Sequence, residues 1–197
     1  MRTETKELKI YNFDELSDKA KKNAIDTHSQ FLMREYDNEH IYDWMYAVLE
    51  CLGYNHSGSD ITRDRRINIR WAYGGQQCII RLPRDMYEFT RPPTDAKTFA
   101  GECGDVEMQA ARDRLEEAWK LRQDAEDLVC PTGDWDYDAQ QKLLDEAEDK
   151  TALACETIEA FFAQVFEDDY EDCGSDEAAL ESIKANGYEY LEDGSIY

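Results

Sequence analysis

"LDEAEDKTALACETIEAFFAQV", residues 144–165, decides the fold. Leu144, Ala147, Thr151, Ala154, Ile158, Phe161 and Val165 step by three and four along it, the spacing of one helix face. Three heptads in that register predict a long helix with an apolar seam, within a helical rhythm running from about 136 to 166. A second rhythm, on Met108, Ala111, Leu115, Ala118, Ala125 and Val129, precedes it. Pro131-Thr132-Gly133 breaks the two apart. Two long helices joined by a short Pro/Gly turn predict an antiparallel helical hairpin.

Toward the N-terminus the texture differs. Residues 8–13 read as a short strand or extended lead-in. Ser17 is placed to cap a helix, Asp18 sits at the positive end of its dipole, and Ala20, Ala24, Ile25, Phe31 and Leu32 follow at helical spacing. His28 falls on the same face. A second helix starts near Asp37 or Asn38, carries Ile41, Trp44, Met45, Val48, Leu49 and Leu52, and stops at Gly53. Alternation over 67–71, the Gly74-Gly75 pair and the apolar run 78–82 predict a β-hairpin, with residues 86–89 as a further strand. Arg63, Arg65, Arg66, Arg70, Arg81 and Arg84 decorate that sheet region as charged edges do. Beyond the long helices, Ser175 caps a short final helix that Asn186-Gly187 ends. "YEYLEDGSIY", 188–197, reads as a strand, an Asp193-Gly194 turn and a strand, able to join the central sheet.

The expected fold class is α+β: a small antiparallel sheet with packed helices and a long acidic antiparallel helical hairpin. The expected division is helices and β-hairpin over 1–91, a linker over 92–104, an acidic hairpin arm over 105–172, and a short helix with terminal hairpin over 173–197. The last segment is expected to pack back on the first.

Charge is distributed unevenly. The 197 residues hold 45 acidic and 22 basic side chains, net −23, and mean hydropathy is −0.78. Residues 1–100 hold 16 acids and 15 bases, so nearly the whole imbalance lies in the second half. Bare nucleic acid is excluded as a partner because its phosphates would be repelled. A basic protein surface is the natural complement. From Asp134 to Asp172 there are 14 acids against Lys142 and Lys150. A helix of that length spans about 58 Å, one negative charge per ~4 Å, close to the ~3.4 Å of one DNA strand. Asp145 and Asp149, Glu167 and Glu171, and Asp168 and Asp172 are like charges four apart, a repulsion that ordinary mixed helix faces avoid. The expected partner-binding residues are Asp145, Glu146, Glu148, Asp149, Glu156, Glu159, Glu167, Asp168, Asp169, Glu171 and Asp172.

Catalytic signals are weak. Cys51, Cys78, Cys103, Cys130, Cys155 and Cys173 form no C-x-x-C pair and read as reduced thiols of a cytosolic protein. His28, His40 and His56 lack ligand spacing. "DWDYDAQQKLLD", 134–145, puts Asp134, Asp136, Asp138 and Asp145 at calcium-loop positions. Ala139 stands where that loop needs glycine, so helix capping is the better account. No P-loop, dinucleotide fingerprint or nucleophile elbow occurs, and no apolar run reaches membrane length. No cofactor is expected.

The phrase Y-x-F-D-E-L-S-D-x-A-K is carried by Tyr11, Phe13, Asp14, Glu15, Leu16, Ser17, Asp18, Ala20 and Lys21. With "SDE" at 175–177, Ile183, Asn186, Tyr188, Tyr190 and "EDG" at 192–194, it resembles the two ends of a widespread group of small phage and prophage proteins. The resemblance covers the outer third of the chain and implies a shared scaffold and a phage origin, not an activity. Acidic phage proteins that look like DNA to a defence protein recur among anti-CRISPR and antirestriction proteins. By that analogy the leading expectation is a non-enzymatic inhibitor of a basic, nucleic-acid-binding host protein, acting in the cytoplasm of an infected or prophage-bearing cell. The alternative is a scaffold that self-associates, as a homodimer for instance, through the 144–165 seam. A calcium- or thiol-dependent enzyme ranks third.

Overall fold

The computed structural model describes residues 8–54, 68–72, 77–82, 84, 91–128 and 136–197. In chain order the elements are β1 (Tyr11–Asn12), a 3-10 turn (Phe13–Glu15), α1 (Asp18–Arg34), α2 (Glu39–Cys51), β2 (Asn68–Ala72), β3 (Gln77–Arg81), α3 (Ala96–Glu102), α4 (Val106–Asp127), α5 (Tyr137–Cys173), α6 (Asp176–Asn186) and β4 (Glu189–Tyr190). The fold is α+β and mostly helical. It divides into two compact units: Met1–Asp37 with Asp168–Tyr197, and Asn38–Glu167. The dividing line falls within α5.

The first unit is set by caps and one aromatic. Ser17 Oγ accepts from the Ala20 amide at 3.3 Å, which starts α1 where the sequence predicts. Ala20, Ala24 and His28, four apart, form its buried face. Ser175 Oγ does the same for α6 through Ala178 N, and Gly187 closes α6 in the left-handed conformation, φ +60°. β4 pairs antiparallel with β1, Tyr190 opposite Tyr11. The terminal strand therefore does not join the central sheet; the protein has two separate two-stranded ladders among the described residues. The reason is the Tyr190 ring. It is fully buried with Leu16, Ala20, Ala24 and Ile183, and meets Phe13 edge-on at 6.0 Å. Gly194, φ +86°, lets the final turn lie on α1: a Cβ there would strike the Ala20 carbonyl oxygen.

The second unit has one core. Met45 and Leu49 of α2 with Leu52 just after it, Ile80 of β3, Phe99 of α3, Met108 and Leu115 of α4, and Ile158, Phe162 and Phe166 of α5 share it. Gly53, φ +91°, follows α2 in the expected C′ place. β2 and β3 pair antiparallel from Asn68 opposite Arg81 to Ala72 opposite Gln77. The Gly74-Gly75 turn and the further strand over 86–89 lie outside the described residues. Residues 92–104, expected to be a linker, contain α3. Asp95 caps it, accepting from the Lys97 and Thr98 amides, and Phe99 anchors it with no exposed surface. Asp105 then caps α4 through the Met108 amide at 2.9 Å.

The seam of α5 corrects the expected register. Ala147, Thr151, Ala154 and Ile158 are buried as expected, but the stripe continues through Phe162 and Phe166, not Phe161 and Val165. A strict heptad repeats every 3.5 residues, whereas a straight helix turns every 3.6 and drifts about 20° per heptad. Over three heptads the buried face moves one residue along the chain. Ala147, Thr151, Ala154 and Ile158 of the seam are covered by their own unit, while Leu144, Phe161 and Val165 stay partly exposed.

Two alanine substitutions separate the registers. Phe162→Ala is expected to cost about 3–5 kcal/mol in urea unfolding, and Phe161→Ala about half of that or less. Equal costs, or the reverse order, would restore the heptad register.

Candidate functional site

The expected binding residues lie on α5, and Glu159 shows that they are not equivalent. Its carboxylate is nearly sealed from water, its side chain 5% exposed. Oε1 accepts from the Leu82 amide at 2.7 Å, and Oε2 from Arg81 at 3.0 Å and Arg84 at 3.2 Å. Glu159 falls in the buried stripe between Ile158 and Phe162, one turn after Cys155. Glu159 thus leaves the expected partner-binding set: it faces inward, and both its oxygens are engaged within its own unit. Glu156, exposed on the next turn, bonds Arg84 at 3.2 Å. Glu167, half-buried, accepts from the Cys78 amide at 3.0 Å. Three acids of α5 are therefore committed to β3 and the residues just after it.

The other acids of the second unit split by helix. On α4, Glu116 binds Arg91, Arg112 and Lys120, Glu117 binds Lys150, and Glu126 binds Arg122. Arg112, buried, also donates twice to the Thr94 carbonyl, at 3.2 and 3.0 Å, and fixes the segment before α3. Hydrogen bonding to Arg91 and then Arg112 holds the Glu116 carboxyl below the usual range. On α5, Asp145, Glu146, Glu148 and Asp149 are all exposed. Glu146 approaches Lys150 at 3.8 Å, and Asp145 accepts from Gln141 at 2.7 Å. Neither Glu148 nor Asp149 has an ion-pair partner among the described residues. In the first unit, Asp168, Glu171 and Asp172 are exposed, while Asp169 is half-buried and accepts from the Tyr36 hydroxyl at 2.7 Å. The two sets belong to different units.

Four of the thiols, Cys78, Cys103, Cys155 and Cys173, are poorly suited to nucleophilic chemistry. Burial, and then the charge of Glu167, push the Cys78 thiol up to about 12. Burial raises Cys103, Cys155 and Cys173 as well. Tyr54 lies 3.1 Å from Cys155 Sγ, and burial with its Cys155 and Glu159 neighbours keeps its hydroxyl protonated well above the ordinary range. A thiolate is the reactive species, so this buried Tyr54–Cys155–Glu159 group serves packing. The calcium candidates divide: Asp136 Oδ1 accepts from the Ala139 amide at 3.0 Å, the capping role, and Asp134 lies outside the described residues. Among the described residues no group of three or more His, Cys, Asp or Glu side chains could hold a metal ion, and no helix is long and apolar enough to cross a membrane.

Sequence reasoning missed the Arg81/Arg84–Glu159 pairing, the Arg112 clamp and the Tyr54–Cys155 contact. The first left a signal: an acid inside an apolar stripe marks a charge that must find an internal partner. Arg112 stands likewise next to Ala111 in the α4 stripe. Comparison with protein-family models, curated proteins and solved structures finds no match.

Glu159→Ala is expected to lower the stability of the second unit by about 1–3 kcal/mol, the cost of an unmet buried amide. A sealed ion pair would cost about 3–5 kcal/mol, but Arg81 and Arg84 are 65% and 44% exposed and regain water. Glu156→Ala should stay within about 0.5 kcal/mol, as exposed pairs do; urea midpoints compare the two.

Alkylation tests the thiols. With the Cys78 value near 12, its thiolate fraction at pH 8 is about a thousandfold below that of a free cysteine. Its rate with iodoacetamide should rise tenfold per pH unit up to that value, and in urea it should jump to the free rate. Mapped modification of Cys78 at the free rate in the folded protein would contradict its burial.

Proposed function

We propose that the chain is a non-enzymatic acidic binding protein that occupies a basic, nucleic-acid-binding surface of another protein, an inhibitor of the anti-CRISPR or antirestriction kind, encoded by a phage. The single supporting observation is the run Asp145–Asp149 in the second unit: four exposed carboxylates within five residues, with Glu148 and Asp149 lacking any cationic partner among the described residues. The acids of α4 are mostly neutralised and those of α5 before its middle are not. An unneutralised stretch attracts a basic surface, speeds encounter and is screened by salt.

We also propose that α4 and α5 form the acidic arm as an antiparallel hairpin. Lys150 reaches Glu117 at 2.9 Å and Gln140 donates to the Ala125 carbonyl at 3.1 Å, so the contact positions fall on α5 as they rise on α4. The residues carrying the function are Asp145, Glu146, Glu148 and Asp149. Glu156 and Glu167 are tied to the unit's own arginine-bearing strand region, and Asp168, Glu171 and Asp172 form a second acidic set in the first unit. The place of action is the cytoplasm of an infected or prophage-bearing bacterial cell.

Competition with duplex DNA tests this against a panel of purified restriction nucleases and CRISPR effectors. The chain is expected to displace DNA from at least one, more weakly as salt rises. Reversing Asp145, Glu148 and Asp149 to lysine should weaken the competition about 100-fold or more, on roughly 1 kcal/mol per charge. Competition unchanged by the triple reversal, or absent across the panel, would sink the proposal.

A further inference from the structure

A pocket of about 370 Å³ opens in the first unit, far from any of the acids invoked above in sequence, among Phe31 and Arg34 of α1, His28 behind them, and Tyr188 and Ile196 of the C-terminal segment. That volume is at the small end for ligand sites. Its walls are mainly aromatic. The His28 ring stands 5.7 Å from Phe31 and 5.3 Å from Tyr188. Phe31 and Ile196 keep 49% and 46% of their surface exposed, although α1 has a buried face one turn away.

Thr27, Gln30, Arg34 and His28 are the polar residues lining this space, and two of them stand out. Arg34 makes no ion pair among the described residues, in a chain with twice as many acids as bases. Its place in the last turn of α1 suits the helix dipole, which accounts for a cation there but not for its lack of a carboxylate. His28 is 1% exposed, and its Nε2 lies 2.9 Å from Ser182 Oγ. Ser182 Oγ accepts from Asn186 Nδ2 at 3.3 Å, so the hydroxyl proton is free to go to Nε2. A neutral imidazole that accepts at Nε2 carries its proton on Nδ1. Burial lowers the His28 value and keeps the ring neutral. Nδ1 has no acceptor in the protein, a rare condition for a buried donor.

We propose that this pocket binds a small planar aromatic carboxylate, its carboxylate paired with Arg34 and its ring against Phe31 and Tyr188, beside the buried ring of His28. Guanidinium and carboxylate match as a two-bond fork, and aromatic walls favour a flat ring over an aliphatic chain. A neutral compound would leave Arg34 unmatched. A longer peptide would exceed the volume of the pocket.

Calorimetry and amide NMR on the full chain, with benzoate, indole-3-acetate, benzamide, cyclohexanecarboxylate and a tripeptide ending in phenylalanine, decide the matter. One aromatic carboxylate is expected to saturate with a Kd below about 1 mM. Benzamide and cyclohexanecarboxylate should bind at least about 10-fold more weakly, and Arg34→Gln, at an exposed position, should cost the carboxylate about 10-fold or more with an unchanged melting temperature. Ring 15N shifts of His28 should show a protonated Nδ1 that moves on binding. No saturation by about 10 mM, equal binding of acid and amide, or indifference to Arg34→Gln overturns the site. Tighter binding of the tripeptide than of either small acid overturns its assignment to a small molecule.

Discussion

The second unit depends on one buried carboxylate. Glu159 receives the Leu82 amide and two arginines in the middle of α5, so a helix and the end of β3 are joined by charge-assisted bonds at a place where neither could be left unmet. Glu159 stands among core residues of the unit, with Ile158 and Phe162 near it in the buried face of α5 and Tyr54 and Cys155 close enough to feel its charge. The arginines that mark residues 81–84 are thereby explained without a ligand. They are the counter-charges of this chain's own acids.

That pairing sorts the acids of the protein. A net charge of −23 is a total, and totals do not say which carboxylates are available. Glu116, Glu117 and Glu126 are matched on α4, Glu156, Glu159 and Glu167 on α5, and Asp95, Asp105 and Asp136 cap helices. Among the described residues Glu148 and Asp149 are left without an ion pair, as are acids elsewhere such as Asp26, Asp43, Glu107, Asp124 and Glu181. An even distribution of −23 over a surface would be unremarkable as a solubility device. What sets 145–149 apart is four exposed carboxylates within five residues, the feature that the proposed basic partner would read.

Local chemistry was legible in the sequence, and long-range pairing was not. Ser17, Asp105 and Ser175 announce helix starts because capping is settled within three residues, and Gly53 and Gly187 announce ends for the same reason. α3 was hidden because Pro92-Pro93 reads as a break, while its own signals are one capping aspartate and one buried phenylalanine. The partner of β4 could not be read, since two-residue strands carry no pattern; burial of Tyr190 decides it. The seam was placed on the right helix and drifted out of phase, because a heptad template accumulates error along a straight helix. For the candidate site, the exposed run 145–149 was legible from composition. The inward turn of Glu159 needed the arginines' positions in space.

The ends of α5 and α6 carry the sharpest electrostatic contrast. Asp176 and Glu177 begin α6, where a negative charge meets the positive end of the dipole and stabilises it. Glu171 and Asp172 lie in the last turn of α5, with no basic residue there, so each opposes the dipole by about 0.3–1 kcal/mol and repels the acid four residues before it by a few tenths more. The first unit offsets this with polar ties to the same stretch: Tyr36 to Asp169, the Ser29 hydroxyl to the Gly174 carbonyl, and the Cys173 thiol to the Leu32 carbonyl. A lysine at 171 or 172 would remove the penalty without touching the core, since both positions are exposed. Stability alone therefore favours the opposite charge at these sites. Charges that the fold itself resists at these sites would be relieved by a cation from outside, which is what the basic partner proposed above would supply.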